Sequence, residues 1–367
     1  MTIQEITQSK ISAFIDFPHT LYRNNNYWVP PLRKDQFHLL ADSHPFWKHA
    51  EKKLFIALKN GITAGTAAAI VNHNHNSFHS DKTGFFGFFD CINDLSAASM
   101  LMDACASWLR DKGMRTMLGP MNPSTNESCG LLTEGFDLPP SVMMPYNFPY
   151  YAELLEKCGL TKAKDLLAFK RVSETAFTER FEKILQRTHR TGKMRVRPAD
   201  IKQLDSELGI LKEIYNDAWE QNWGFVPMTE EEIDDMAESL KPLLRPDHLL
   251  FAEYEGKPVA FTLIIPDINH ALIHTKGRLT PFNILQFLWR INHAPAGRLM
   301  ALGVKKEFRN HGLELLMIKE TLLATRRQGW KYGELSWILE DNEKIIRTIE
   351  LVGGTVYKKY RIYQKNT

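Results

Sequence analysis

Arg309-Asn310-His311-Gly312-Leu313 is the stretch whose residue types and spacing most directly suggest chemistry. It follows an apolar run of strand length, Arg298 to Val304, that contains Leu302-Gly303-Val304. It precedes a helical pattern from Leu313 to Gln328, closed by Gly329. A helix start leaves backbone N–H groups unpaired and carries partial positive charge, so it suits a phosphate or pyrophosphate. Gly312 lets the backbone come close to a ligand, and Arg309 and His311 offer side-chain donors. An ordinary βα turn with a capping glycine would read the same way.

Other stretches offer polar or aromatic walls. Trp219, Asn222, Trp223 and Phe225 crowd a Gly-Phe-Val-Pro turn and resemble the side of a substrate pocket. Gly119 to Gly130, with Asn126 near its middle, is dense in donors and acceptors. It fits a polar substrate or its own Asx and Ser/Thr turns equally. His73, His75 and His79 invite a metal reading, yet no carboxylate or cysteine supports them at ligand spacing. A hydrated loop without metal is expected. Cys129 has no histidine near it in sequence to activate it.

Positioning these residues takes strands and helices in a repeated order. Gly84 to Phe89 reads as a buried strand. Leu101, Ala104, Cys105, Trp108 and Leu109 form one helical face, Thr116 to Leu118 a strand, and Tyr151 to Cys158 another helix, before a strand at Lys164 to Arg171. The same order returns from Arg298, through Leu335 to Leu339 and Glu343 to Val352, to Thr355 to Tyr363. Two tandem domains of one fold explain the recurrence: residues 1–171 and 194–367, joined by a basic linker at 172–193. The matching turn of the first half, Asp90-Cys91-Ile92-Asn93-Asp94, has two acids and no glycine, a poor phosphate cradle. An Asn60-Gly61 turn marks a hairpin, Ile6 to Tyr22 reads as a first helix, and Pro281 to Asn292 as an inserted apolar helix.

Composition sets outer bounds. The chain has 367 residues, 44% hydrophobic and 24% charged, as in globular proteins. A net charge of +3 does not suggest a nucleic-acid binder, and no nucleic-acid partner is expected. The basic run Arg180 to Arg197 reads as a solvated helix or linker, with an acidic carrier protein or anionic lipid as the other option. Four cysteines without a C-x-x-C pair, and no apolar leader or membrane-length run, lead to the expectation of a cytoplasmic setting.

The run Leu302-Gly303-Val304 followed by Arg309-Asn310-His311-Gly312-Leu313-Glu314 resembles the acyl-CoA pyrophosphate loop of the GNAT acyltransferase superfamily. Arg309 and Gly312 match its pattern; Glu314 stands where the family has a small residue. The resemblance implies an α/β (α+β) fold of two tandem GNAT-like domains, each a mixed, mostly antiparallel central sheet flanked by helices. It implies acyl transfer from acetyl-CoA or a longer acyl-CoA, or from an acyl carrier protein, to an amine of a small-molecule or lipid-like acceptor. The CoA site would comprise Leu302, Gly303, Val304, Arg309, Asn310, His311, Gly312, Leu313 and Asn342. The acceptor side would comprise Trp219, Asn222, Trp223, Phe225 and Asn126. Glu340 is the expected base, because an ammonium nucleophile must lose a proton. Ile349 occupies the usual position of the tyrosine acid, which passes that role to Tyr360, with Tyr357 and Tyr363 as alternatives. A ligand-binding or regulatory protein that has lost its chemistry is the competing reading.

Overall fold

Glycine and proline divide the chain much as its sequence suggests, and the segments between them assemble into one large sheet. A computed structural model describes residues 1–188, 193–220, 222–309 and 311–367. The first-half strands are β1 (Thr2–Ile6), β2 (Ala50–Lys59), β3 (Ile62–Asn72), β4 (Thr83–Cys91), β5 (Thr116–Gly119), β6 (Met121–Asn122), β7 (Ser128–Cys129), β8 (Leu131–Glu134) and β9 (Thr161–Val172). Its helices are α1 (Ile11–Leu21), α2 (Arg33–Leu40), α3 (His73–His79), α4 (Leu95–Asp111) and α5 (Tyr150–Lys157).

The second half supplies β10 (Met194–Pro198), β11 (Leu249–Tyr254), β12 (Lys257–Pro266), β13 (Ala296–Val304), β14 (Tyr332–Leu339) and β15 (Thr355–Asn366). Helices α6 (Glu179–Thr188), α7 (Leu204–Trp219), α8 (Glu230–Leu240), α9 (Asn269–Leu272), α10 (Ile284–Asn292), α11 (Leu313–Arg327) and α12 (Glu343–Leu351) flank them.

Asn60 and Gly61 hold φ of 54° and 80°, which a two-residue turn between twisted strands requires, and β2 and β3 pair across them. The repeat is visible as β4-α4-β5 and β13-α11-β14, each a pair of parallel strands joined through a helix. Two local expectations change. The histidine segment is helix α3, started by Asn72, whose Oδ1 accepts from the His75 N–H at 3.1 Å. Thr2–Ile6 forms a strand on β2 before α1 begins.

The sheet has thirteen strands in the order β1-β2-β3-β4-β5-β15-β9-β14-β13-β12-β11-β10, with β8 beside β15. Each half gives its last strand to the other: β9 pairs with β14, and β15 pairs with β5. β9 and β15 also pair with each other along most of their length. Cuts at 171 and 194 therefore divide the chain but not the sheet. Phe169 on β9 and Tyr360 and Ile362 on β15 are buried at this junction, so the seam between the halves is itself core. The basic segment begins as α6, whose Phe181 and Leu185 pack on Leu316, Ile318 and Leu322 of α11.

Candidate active site

The candidate site starts where β13 and β14 part. Their parallel pairing runs from Ala296 and Tyr332 to Leu299 and Leu335 and stops there. At that level β13 slips register against β12 between Leu299 and Ala301, and β14 against β9 between Leu335 and Ile338. Bulges of this kind end pairing and turn backbone groups toward new partners, often beside active sites. Met300, Ser336 and Trp337 lie at these slips.

Two cavities meet at this point. A cleft of about 300 Å³ runs beside Leu302, Gly303, Val304, Arg309, Glu314 and Asn342. A central cavity of about 230 Å³ is lined by Asn126, Glu127, Tyr215, Trp223 and Phe225. Trp219, Asn222, Met300, Ala301, Ser336 and Trp337 line both, and form their shared wall. A third cavity, about 390 Å³ in the first half, shares Glu127 and Met143 with the central one.

The residues expected to hold CoA divide into two groups. Leu302, Gly303, Val304, Arg309 and Asn342 line the cleft, while Asn310 lies outside the described residues. Gly312, at φ 78°, begins α11, and no described side chain caps that start. Leu313 is fully buried in the core and does not line the cleft. His311 is exposed and its Nδ1 sits 3.0 Å from the Arg309 carbonyl. The Arg309 guanidinium donates to the carbonyls of Ala218 at 2.5 Å and Val304 at 3.3 Å. It pins the turn against the end of α7. Glu314 turns toward Lys344, 3.3 Å away, which gives this carboxylate a cation at the cleft.

All five residues read as the acceptor wall line the central cavity. Tyr215 donates to Asn126 Oδ1 at 3.2 Å, and Thr125 donates to the Gly224 carbonyl at 2.9 Å. These bonds tie the polar loop of the first half to the aromatic turn of the second. Burial, then Glu127, hold the Tyr215 hydroxyl above the usual tyrosine range, so it keeps its proton.

The expected acid and base lie elsewhere. Glu340 bonds Lys162 at 2.6 Å and accepts from the Asp165 N–H at 3.0 Å, off the lining of both cavities. Tyr360 is fully buried in the seam, with no hydrogen-bond partner for its hydroxyl among the described residues. Tyr357 donates to Glu334 and Tyr363 to Glu156, and neither lines the cleft or central cavity. Ile349 is buried against the cleft.

Glu127 escaped the sequence reading. Its carboxylate accepts from Ser124 Oγ at 2.7 Å and lies where the first-half and central cavities meet. Burial pushes its pKa up to about 7, and Ser124 only partly opposes the shift. Arg298 and Glu334 were also missed as a pair. Arg298 donates to Ser336 Oγ at 3.0 Å, to the Ser336 carbonyl at 3.1 Å and to the Val142 carbonyl at 2.7 Å. Glu334 lies 3.9 Å away and takes the Ser336 hydroxyl. This buried network fixes the strands at the level where they part. Arg298→Met should lower stability by about 3–5 kcal/mol in urea unfolding, because buried Glu334 loses its cation and the Ser336 and Val142 carbonyls lose their donor.

The matching parting of strands in the first half is filled. β4 and β5 also part, after Phe85 and Leu118, but a Cβ on Gly87 would lie 1.6 Å from the Met121 carbonyl oxygen. β6 packs directly on β4 there. Where the second half has a helix start that no described side chain caps, the first has α4, whose start Asp94 caps by accepting from the Ser96 and Ala97 N–H groups, and Asp90 before it is bonded by Tyr22 at 2.8 Å and Tyr151 at 3.1 Å.

No family model matches the chain. Structural likeness is broad: a tandem GNAT protein from the clavulanic acid biosynthesis pathway superposes with a TM-score of 0.57 at 11% identity, covering 100% of this chain and 98% of that one. A GCN5-related N-acetyltransferase from Sphaerobacter thermophilus gives 0.55 at 14% identity, covering 100% and 95%. At these identities the likeness concerns the fold, which is that of a tandem GNAT-like protein. Protein YghO of Escherichia coli is 33% identical over 98% of this chain and 94% of its own length. The bacterial ceramide synthase of Caulobacter vibrioides is 34% identical over 98% of this chain and 95% of its own. The chain therefore belongs to the family that includes YghO and this bacterial ceramide synthase, and its fold is that of a tandem GNAT-like protein.

Proposed function

We propose that the chain transfers an acyl group from acyl-CoA to the primary amine of a lipid-like acceptor, with no acyl-enzyme between. The observation that carries this reading is the wall shared by cleft and central cavity where β13 and β14 part, with Glu127 across the central cavity's lining. The start of α11 receives the pyrophosphate, and the parted strands admit the pantetheine arm. A backbone N–H freed at the β13 bulge accepts the role of polarising the thioester carbonyl. Glu127 takes a proton from the ammonium, whose lone pair then attacks that carbonyl. The C–N bond forms, the C–S bond breaks, CoA leaves as thiolate, and the second proton of the acylated nitrogen passes to that thiolate or to water. A cysteine thiol has a pKa of about 8.5, so a thiolate can depart without a tyrosine's proton.

Two features support the acceptor's class. A relative sharing a third of its residues is a bacterial ceramide synthase. The first-half cavity offers Phe14, Ile15, Trp28 and Leu131 to an alkyl chain whose amine would sit at Glu127. Delivery by an acyl carrier protein would use the same chemistry with a different handle. The reading takes the cytoplasm as its setting, and four buried unpaired cysteines support a reducing compartment.

Incubating the protein with palmitoyl-CoA and a long-chain amino alcohol should yield the amide and free thiol, followed by mass spectrometry. Acyl-CoA binding without turnover across an amine panel would overturn catalysis. It would favour a ligand-binding role, which Glu314 beside the cleft and Ile349 in place of a tyrosine support. Glu314 also yields a direct prediction. Its charge opposes the pyrophosphate, so Glu314→Gln should tighten acyl-CoA binding roughly fivefold in low-salt calorimetry.

A further inference from the structure

Helix α10 and the residues before it carry a large apolar face that no part of the described chain covers. Phe282 is 95% exposed, Leu285 75% and Trp289 60%, with Ile284 and Leu288 beside them. Positions 284, 285, 288 and 289 fall on one side of the helix, and none of its residues is buried. An exposed patch this rich in large side chains marks an interaction surface.

The charge along this stretch of the chain is one-sided. No Asp or Glu occurs between Asp267 and Glu307, whereas Lys276, Arg278 and Arg290 flank the apolar face. Lys276 and Arg278 are exposed, and no described carboxylate is within salt-bridge distance of any of the three. A second copy of the chain docking face to face would set these cations against their own copies. A bilayer with anionic headgroups offers both an apolar interior for Phe282, Leu285 and Trp289 and phosphates for the cations.

We propose that α10 is a membrane-docking helix that lies in the interface of an anionic bilayer with Phe282, Leu285 and Trp289 turned into it. The inference stands apart from the acyl-transfer reading but has a consequence for it. α9 precedes α10, and its Asn269 and Leu272 line the first-half cavity. A docked α10 holds that cavity close to the bilayer, from which a lipid-like molecule would come.

Sedimentation of the whole protein with vesicles of phosphatidylglycerol and phosphatidylcholine, against phosphatidylcholine alone, tests the proposal. The wild type should bind the anionic vesicles at least tenfold more tightly and lose most of that preference at high salt. Leu285→Glu with Trp289→Glu should abolish binding while circular dichroism and Tm stay at wild-type values, since both side chains face solvent. Lys276→Gln with Arg278→Gln should weaken binding about tenfold or more. Absence of wild-type binding, or binding that survives the double glutamate change, would overturn the proposal. So would a wild-type dimer in sedimentation velocity that the double change dissolves, because the face would then be covered by a second copy.

Discussion

Replacing Glu127 with glutamine is expected to lower kcat for amide formation by about a hundredfold or more, the usual contribution of a positioned general base. Acyl-CoA binding should be little changed, because Glu127 lies off the cleft that would hold CoA. The pH profile gives a sharper readout. Only the ionised carboxylate can take the amine's proton, and burial has moved its titration up to about 7. Wild-type kcat should rise with pH through about 7, and the residual activity of Glu127→Gln should lose that limb. A purely structural role for Glu127 would lower activity at all pH values alike.

Stability supplies an independent check on the same carboxyl. Its folded-state pKa lies above the unfolded value of about 4.3, so the native state holds a proton that the unfolded chain has released. The resulting stability is present below about pH 4 and is lost as pH rises to about 7. Glutamine has no such titration. The variant should therefore gain on the wild type in urea midpoints measured from pH 4 to pH 7, even as its activity falls. An unchanged difference across that range would show that Glu127 titrates normally.

Gly312→Asp should abolish the thermal stabilisation that acyl-CoA gives the wild type, corresponding to a loss in affinity of about a hundredfold or more. The substitution brings a carboxylate to the helix start that would meet the pyrophosphate, so charge repels charge where the dipole had attracted it. It also places a side chain at φ 78°, a left-handed conformation that costs about 1 kcal/mol in a non-glycine residue. Gly312→Asn separates the two effects, because asparagine tolerates that conformation and carries no charge. It should keep much of the acyl-CoA shift. Retention of the full shift by Gly312→Asp would remove the helix start from the CoA site.

Legibility in the sequence tracked how local each feature is. The strand, turn and helix around Arg309 and Gly312 follow from periodicity and a glycine, both of which act within a few residues. The repeat was visible for the same reason. The histidine segment was misjudged because Asn72, one residue ahead, caps it into α3 and two of its rings find partners elsewhere in the fold. His75 meets Phe85, and His79 bonds the Phe225 carbonyl at 2.8 Å. Glu340 looked like a base because it ends a strand beside the expected CoA site. In three dimensions Lys162 on β9 claims it, and a strand's neighbour is not written in the strand.

By itself, then, the sequence determined the elements, their repetition and the one turn suited to an anion, since backbone propensity and hydrophobic period are short-range properties. Only the tertiary structure decided that the halves exchange β9 and β15, because strand pairing joins residues nearly two hundred positions apart in the chain. It alone placed Glu127, a residue of an ordinary-looking polar loop, between two cavities where burial raises its pKa. Desolvation depends on what surrounds a carboxyl in space, and no spacing along the chain encodes it.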